Sequence, residues 1–258
     1  MTIRQKARRF GVAMFAGMAL VTVSPAYAQD MFGARGMCTN DRSTRQLFTG
    51  TVRDIGRVPS TASAGILALG GAAALGAHAV DHRVNTTFSS RQDLRGAFKA
   101  GATLGGTPLE LGAAFTTYAI GRAMNKPCAA ALGADLVQAQ LMAQVFTIGL
   151  KQATQRVRPA GSGLSFPSGH TTMAFASATV LQRHFGWKAG IPAYAAASYV
   201  AASRVQTQRH YLSDVAFGAA LGIVAGRTVS VGHGRQLMLT PMAVSRGAGA
   251  SFTLIPRQ

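Results

Sequence analysis

The sequence predicts an all-α fold, a helical bundle with a short β-hairpin at its C-terminus. Apolar runs rich in Ala, Gly and Leu recur between residues 62 and 226, and short polar stretches separate them, as in a chain of buried helices. Aromatic residues make up only 7% of a chain that is 48% hydrophobic. Because small side chains allow helices to pack closely, we expect a core built largely from Ala, Leu, Val and Gly. A length of 258 residues fits one large domain or two small ones.

Residues 1–28 have the composition of a cleaved export signal. Four cations precede an uncharged apolar run from Phe10 to Val23, and Ala26-Tyr27-Ala28 then offers small residues to a signal peptidase. The run is short for a bilayer span, and an uncleaved anchor helix is the alternative. We therefore expect export to the bacterial periplasm. In that oxidising compartment Cys38 and Cys128 can either form a disulfide or stay as two buried thiols.

The rest of the chain divides into a polar segment, a helical domain and a tail. Residues 29–60 are expected to form a loop or a short helix, and residues 61–227 form the helical domain. Six apolar segments predict its helices: 62–80, 103–120, 129–150, 171–182, 190–203 and 215–226. The first of them is a buried helix or a weak membrane span, because Ala and Gly contribute little to insertion and His78 lies inside it.

The tail, residues 228–258, changes character. Two β-prone runs, Leu237 to Thr240 and Ser251 to Ile255, stand on either side of Arg246 to Gly249, which can turn a hairpin. A frayed, loosely packed terminus is the alternative.

The balance of charge is strongly basic, with 26 Lys and Arg against 8 Asp and Glu, a formal charge of +18. No helix-turn-helix, zinc-finger or RNA-binding signature accompanies this charge, and the arginines are scattered, which argues against nucleic acid as a partner. Most of the cations are expected on a solvated surface, and an anionic substrate or membrane surface explains their sign. The eight acids form no pattern typical of a metal site, so we expect no metal cofactor.

The first motif that could carry chemistry is a pair of cations. Lys151 and Arg158 are seven residues apart, so a helix that ends at Pro159 would project both side chains from one face. Two cations at a helix end are suited to holding an oxyanion. Taken alone, a Lys and an Arg at this spacing are more often two solvated side chains.

The second motif is the tetrapeptide 167–170, Pro-Ser-Gly-His, directly before an apolar helix. Ser168 would cap that helix. The backbone N–H groups of Gly169 and His170 would then face outward from its positive end, as binding of a phosphate requires. An ordinary capped turn with an incidental histidine is the alternative.

The third motif joins a cation to a histidine–carboxylate pair. His210 and Asp214 are four residues apart, so on a helix the carboxylate could hold a proton on one imidazole nitrogen and leave the other as a nucleophile or base. Arg204 lies on an apolar helix, where a guanidinium is costly unless it is paired or faces a ligand. A His–Asp pair that only supports the fold is the alternative.

The three motifs, in this order, resemble the signature of the type 2 phosphatidic acid phosphatase (PAP2) superfamily. They are Lys-x6-Arg-Pro from Lys151, Pro-Ser-Gly-His from Pro167 and Ser-Arg-x5-His-x3-Asp from Ser203. All three motifs match without a substitution. The strict match covers residues 151–214, and the helices from about 62 to 226 match by general pattern only. The family includes membrane-embedded lipid phosphatases, soluble periplasmic acid phosphatases and vanadium-dependent haloperoxidases, and its core is a helical bundle.

The resemblance implies a role for each matched residue. His210 would attack phosphorus and form a phosphohistidine, Asp214 would orient His210, and His170 would protonate the leaving oxygen. The phosphate oxygens would be held by Lys151, Arg158, Ser168, Gly169 and Arg204. Cations and a helix end can stabilise a transferring phosphoryl group without a divalent metal.

By this resemblance the chain is a metal-independent phosphatase acting on phosphate monoesters or on lipid phosphates and pyrophosphates. Its partner would be a phosphorylated small molecule or a lipid. The export signal favours a periplasmic enzyme, whereas the number of apolar segments favours membrane association, with the active site of an inner-membrane enzyme facing the periplasm. Two other functions are kept as alternatives, a vanadate-dependent haloperoxidase and a non-catalytic anion-binding envelope protein.

Overall fold

The computed structural model describes residues 43–230 and the backbone of two strands, 235–244 and 247–256. Its helices are α1 (Thr44–Ile55), α2 (Thr61–His78), α3 (Asp81–Ser89), α4 (Arg95–Phe98), α5 (Gly101–Leu104), α6 (Thr107–Ala123), α7 (Pro127–Thr154), α8 (Gly169–Phe185), α9 (Trp187–Gln206) and α10 (Leu212–Val229), with a 3₁₀ turn at Gln92–Leu94. In the C-terminal tail, β1 (Arg235–Val244) pairs antiparallel with β2 (Gly247–Pro256). The predicted export signal and Cys38 lie outside the described residues, whereas Cys128, in the first turn of α7, is disulfide-bonded.

Local sequence signals determine where the longest helices begin and end. Ser168 adopts the extended conformation of an N-cap residue before α8. Gly186, with a φ of 75°, separates α8 from α9 in a conformation that glycine alone adopts readily. Pro127 occupies the first turn of α7, where its missing N–H leaves no hydrogen bond unmade. At the other end of α7, Gln155 is left-handed, with a φ of 49°, and the helix stops.

The bundle is organised around α8, which packs against α7, α9 and α10. On its outside, α6 packs against α7, and α2 packs against α10. The side chains buried between α7, α8 and α10 are mostly small, as the composition predicts: Leu132, Ala139, Met142, Ala143, Met173, Ala176, Val180, Ala225 and Val229.

Three glycines along α10, Gly218, Gly222 and Gly226, allow it to approach α8 closely; we call them the glycine row. A Cβ atom at Gly222 would lie 2.3 Å from the carbonyl oxygen of Thr172, and one at Gly218 would lie 3.0 Å from that of Ser168. A larger residue would force the two helices apart, at a cost of about 1–3 kcal/mol. The glycine row therefore fixes the spacing between the starts of α8 and α10.

The all-α class predicted from the sequence is confirmed, and each of the six predicted helical segments is a helix. The polar segment 29–60 contains α1, whose Leu47 is fully buried against Ala114 and Tyr118. Of the residues that α1 buries, Leu47, Gly50, Thr51 and Asp54, only Leu47 has a large apolar side chain, so the sequence did not indicate that this segment joins the core.

Two helices among the described residues are long and apolar enough to cross a membrane by length and composition, α2 and α10. They differ in burial: α10 is mostly enclosed by the bundle, whereas only 17% of α2 is buried. On α2, Leu69 and Leu75 are 74% and 77% exposed. An apolar helix face that the protein leaves uncovered is typical of contact with a membrane or a partner.

Candidate active site

The three sequence motifs meet at one end of the bundle, where α8 and α10 begin. The backbone N–H of Ser168 donates to the carbonyl oxygen of Asp214 at 3.1 Å, which joins the starts of the two helices. The backbone N–H of His210 donates to the carbonyl oxygen of Arg204 at 3.2 Å, so the loop after α9 folds back on the end of that helix. The site is therefore assembled from helix ends that backbone hydrogen bonds connect.

A cavity of about 480 Å³ lies at this junction, and we call it the catalytic cavity. It is lined by Ala102, Arg158, His170, Arg204, Thr207, Arg209 and His210. Four of these residues are predicted site residues, whereas Thr207 and Arg209 were missed, although Arg209 directly precedes His210. The other predicted residues, Lys151, Ser168, Gly169 and Asp214, are not part of the lining. Three guanidinium groups around one space make it suited to an anion such as phosphate.

His210 and Asp214 are neighbours, as predicted, but they do not share a helix. Tyr211 is the extended N-cap residue of α10, so the helix begins after His210. His210 Nδ1 lies 3.6 Å from Asp214 Oδ2, slightly too far for a hydrogen bond, and has no other partner in the described part of the chain. Because such bonds often shorten when a ligand binds, Asp214 is placed to hold a proton on Nδ1 and leave Nε2 for the cavity.

The Asp214 carboxylate is held from several sides. Its Oδ1 accepts a hydrogen bond from Arg156 Nη1 at 2.8 Å. Its Oδ2 accepts one from the backbone N–H of Tyr211 at 2.8 Å and another from the hydroxyl of Ser165. Since the carboxylate is also fully buried, its orientation is fixed, and so is the side of His210 that it faces.

Arg156, to which no sequence motif pointed, links this carboxylate to a second one. Its Nη2 donates to Asp81 Oδ2 at 2.8 Å, and its guanidinium carbon lies 4.1 Å from the centre of the Tyr211 ring. Asp81 also accepts hydrogen bonds from the N–H and the hydroxyl of Ser213, at 2.9 and 2.5 Å. Burial alone would raise the pKa of Asp81, but the hydrogen bonds from Ser213 and Arg156 together lower it. Arg156 stands at one of the six unspecified positions of the first motif, so the spacing did not reveal it.

The prediction that Lys151 and Arg158 project from one face of a helix is wrong. The helix ends before the left-handed Gln155, and Val157 then pairs with Leu164 in an isolated β-bridge. The two cations nevertheless converge, because Lys151 Nζ and Arg158 Nε both donate to the carbonyl oxygen of Leu164, at 2.9 and 3.1 Å. A loop, and not a helix face, brings them together.

The Pro-Ser-Gly-His motif is placed as predicted, at the start of α8. Ser168 is its N-cap residue, although the side chain makes no capping hydrogen bond; its hydroxyl oxygen accepts from Thr171 Oγ1 at 2.9 Å. Gly169 and His170 form the first turn of α8, where backbone N–H groups have no partner within the helix. Of these three residues, only His170 lines the catalytic cavity.

Burial and positive charge lower the pKa of both histidines of the site and of Lys151. Burial, Arg204 and His210 lower the pKa of His170 to about 4. Burial also lowers the pKa of His210, although Asp214 opposes this effect. Burial and the charge of Arg158 lower the pKa of Lys151 to about 8. At neutral pH both imidazoles are therefore uncharged in the empty site, while the lysine keeps its proton.

Comparison with known proteins identifies relatives of this part of the chain. Residues 152–237 match the family model of the PAP2 superfamily. A lipid A 1-phosphatase of Porphyromonas gingivalis is 38% identical over 100 residues, which are 37% of this chain and 21% of that protein. A decaprenylphosphoryl-5-phosphoribose phosphatase of Mycobacterium tuberculosis is 36% identical over 106 residues, which are 37% of this chain and 58% of that protein. The chain thus spans less than two thirds of the length of either relative.

A solved structure shows similarity over more of the chain. It is the crystal structure of a transmembrane PAP2-type phosphatidylglycerolphosphate phosphatase from Bacillus subtilis, with a TM-score of 0.53 and 20% sequence identity. The match covers 72% of this chain and 93% of that one. At this level of identity the similarity shows that the two proteins share a fold.

Proposed function

We propose that this chain, in which residues 152–237 match the family model of the PAP2 superfamily, is a metal-independent phosphatase that acts on lipid phosphates through a phosphohistidine. The observation that carries the proposal is the catalytic cavity, in which guanidinium groups and two uncharged imidazoles surround a space of about 480 Å³. Phosphoryl transfer needs mainly positioning and charge stabilisation, and the residues around this cavity are of the kinds that supply both.

In the first step, the phosphoryl group moves to the protein. Nε2 of His210 forms a bond to phosphorus while the bond from phosphorus to the leaving oxygen breaks. Asp214 holds the proton on Nδ1 and balances the charge of the imidazolium that forms. Arg158 and Arg204 neutralise the oxygens of the transferring group. His170 gives its proton to the leaving oxygen, so the alcohol departs uncharged.

In the second step, water releases the phosphate. A water molecule attacks phosphorus and gives a proton to the now neutral His170, while the bond between phosphorus and His210 breaks. Both histidines return to their starting states. The cycle needs a proton on His170 at its start, although the pKa of His170 is about 4 in the empty site. The negative charge of a bound phosphate favours the imidazolium, so we expect His170 to gain its proton together with the substrate.

The role of His170 predicts a dependence on the leaving group. His170→Ala should lower kcat/KM, which reports the steps up to departure of the leaving group, by about 10²–10³-fold for an alkyl phosphate, whose leaving oxygen needs a proton. It should lower kcat/KM much less for a nitrophenyl phosphate, because nitrophenolate leaves without one. The two kcat/KM ratios, measured beside His82→Ala on the exposed surface of α3, check this. Equal losses for both substrates would contradict the assignment of His170 as the acid.

The lowered pKa of Lys151 predicts an alkaline limit to activity. As the pH rises through about 8, Lys151 loses its proton, and an uncharged amine no longer stabilises a phosphate oxyanion. We therefore expect kcat/KM, which reports groups of the free enzyme, to fall above that pH. In Lys151→Arg this fall in kcat/KM should begin at a higher pH, because a guanidinium keeps its proton. A fall that begins at the same pH in the variant would mean that another group is responsible.

The preference for a lipid substrate is supported by two observations. The names of both relatives specify a lipid component, lipid A in one and a decaprenylphosphoryl group in the other. In this chain α2 presents apolar side chains such as Leu69 and Leu75 that the protein does not cover, and the strong positive charge favours an anionic membrane surface. We infer that α2 contacts the membrane and that the catalytic cavity works at its surface. Export to the periplasm remains a prediction from residues 1–28.

The proposal is tested by phosphate release from the full chain in detergent and a chelator. We expect it to hydrolyse phosphatidic acid in mixed micelles at full rate in EDTA, and a small soluble ester at least about tenfold more slowly in kcat/KM. Activity that returned only with Mg²⁺ would exclude the metal-independent mechanism. A faster reaction with the soluble ester would exclude the lipid preference and favour a soluble acid phosphatase.

A further inference from the structure

A second cavity, of about 600 Å³, adjoins the catalytic cavity, and we call it the side cavity. Its lining includes two cations, Arg95 and Lys99, and the described residues contribute no carboxylate to it. Its polar lining residues are Ser89, Gln206, Thr207 and Gln208. None of these residues takes part in the chemistry proposed above, so the side cavity is free for another part of a ligand.

The two cavities are connected through the loop that carries the nucleophile. Thr207 lines both of them, and the chain runs from Gln208 directly into Arg209 and His210. Gln208 Nε2 donates to Ser89 Oγ at 2.7 Å. One loop therefore forms a wall of each cavity, and the two cavities are neighbours on either side of Thr207.

The segment that carries the two cations is held against the bundle. Phe98, between Arg95 and Lys99, is 1% exposed and stacks on the ring of Tyr199 with 5.5 Å between ring centres. The hydroxyl of Tyr199 donates to the carbonyl oxygen of Ala97 at 2.5 Å. The positions of Arg95 and Lys99 along the cavity wall are therefore set by packing onto α9.

No carboxylate among the described residues neutralises the positive charge of the side cavity. In the part of the chain that the structure describes, neither Arg95 nor Lys99 forms an ion pair. The acid nearest to them in sequence, Asp93, is bound by both Arg91 Nε and Arg91 Nη2, at 2.9 and 2.6 Å. Two unpaired cations beside polar side chains attract an anion, and a phosphate oxygen is the ligand that both prefer.

We propose that the side cavity binds a second phosphate on the headgroup of the same substrate, while the catalytic cavity holds the phosphate that is removed. This inference rests on the proposed phosphatase activity and narrows its substrates to lipids whose headgroup carries two phosphate groups. Arg95 and Lys99 contact only the retained phosphate. They therefore determine which lipid is bound, and the chemistry at His210 does not depend on them.

The test compares two lipids and two double variants. Phosphatidic acid carries one phosphate, whereas phosphatidylglycerol phosphate carries a terminal phosphate and an internal phosphodiester. Arg95→Ala/Lys99→Ala should lower kcat/KM for phosphatidylglycerol phosphate by roughly tenfold, as loss of charge-assisted contacts implies, and by less than about twofold for phosphatidic acid. The control, Arg83→Ala/Lys126→Ala, removes one Arg and one Lys that are exposed elsewhere and should change neither value. Equal losses for both lipids, or none for either, would overturn the proposal.

A binding measurement keeps the proposal testable without turnover. By calorimetry on the His210→Ala chain, which lacks the proposed nucleophile, the deacylated headgroup of phosphatidylglycerol phosphate should bind roughly tenfold more tightly than glycerol 3-phosphate, and adding Arg95→Ala/Lys99→Ala should remove the difference. Equal affinities would overturn the side cavity as a second phosphate site, even if the chain proves to be a phosphatase. If the side cavity binds only free phosphate, the two headgroups will bind with equal affinity, and this result would also overturn the proposal. If the preference is present but neither lipid is hydrolysed, the proposed function fails while the binding site stands.

Discussion

Replacing His210 by alanine is expected to lower the rate of phosphate release by about 10⁴-fold or more, because the variant lacks the imidazole that we propose as the nucleophile. Arg158, Arg204 and His170 would still surround the substrate, so KM should change little. The decisive readout is the covalent intermediate. Acid-labile, alkali-stable phosphoprotein should accumulate in the wild-type chain during rapid quenching and be absent from His210→Ala.

The control for this variant is another histidine. His82 is exposed on α3, and His82→Ala should keep full activity and a normal phosphoprotein. His210 is only 3% exposed, so thermal unfolding of each variant shows whether the loss reflects chemistry or folding. A normal amount of phosphoprotein in His210→Ala would contradict its assignment as the nucleophile.

The second large effect is expected at Arg156, which acts through Asp214 and not on the substrate. Arg156→Ala would leave two carboxylates, those of Asp81 and Asp214, without their shared cation, although their side chains are only 5% and 0% exposed. Breaking such a buried pair costs about 3 kcal/mol of stability. Because Asp214 would no longer be held in position beside His210, we also expect kcat to fall by about 10²-fold with KM nearly unchanged.

Two further variants separate positioning from stability. Arg57 pairs with Asp54 at 2.9 Å but is 51% exposed, so Arg57→Ala should cost below about 1 kcal/mol and leave kcat unaltered. Arg156→Lys keeps the charge but cannot hold both carboxylates through a planar fork, so it should recover stability more than kcat. If Arg156→Ala lost stability while kcat of the folded fraction stayed normal, Arg156 would have a structural role only.

Whether the sequence could predict a contact depended on how directly spacing determines it. His210 and Asp214 were correctly expected to be neighbours, because four residues bring them close even though α10 starts between them. The prediction that Lys151 and Arg158 share a helix face was wrong, because one left-handed residue between them, Gln155, changes the direction of the chain. No spacing rule points to Arg156, which takes its importance from Asp81, a residue 75 positions earlier in the chain.

The buried helices were predictable for a different reason. Their boundaries follow from apolar composition and from breakers such as Gly186, which act locally. The cavities could not be predicted. Arg95 and Thr207, for example, line the same side cavity only because α4 packs onto α9. Contacts of that kind depend on tertiary structure and leave no pattern in the linear sequence.

The glycine row limits which substitutions this protein can accept during evolution. Gly222 lies eight residues after Asp214, about 12 Å along the helix, and does not line the catalytic cavity. Any side chain added there would push α10 away from α8. Asp214 and its neighbour His210 would then move away from His170, which lies on α8. Evolution of this protein is therefore constrained at positions that must stay glycine because no side chain fits there. A scan of substitutions should find this face of α10 as intolerant of change as the residues that line the cavity.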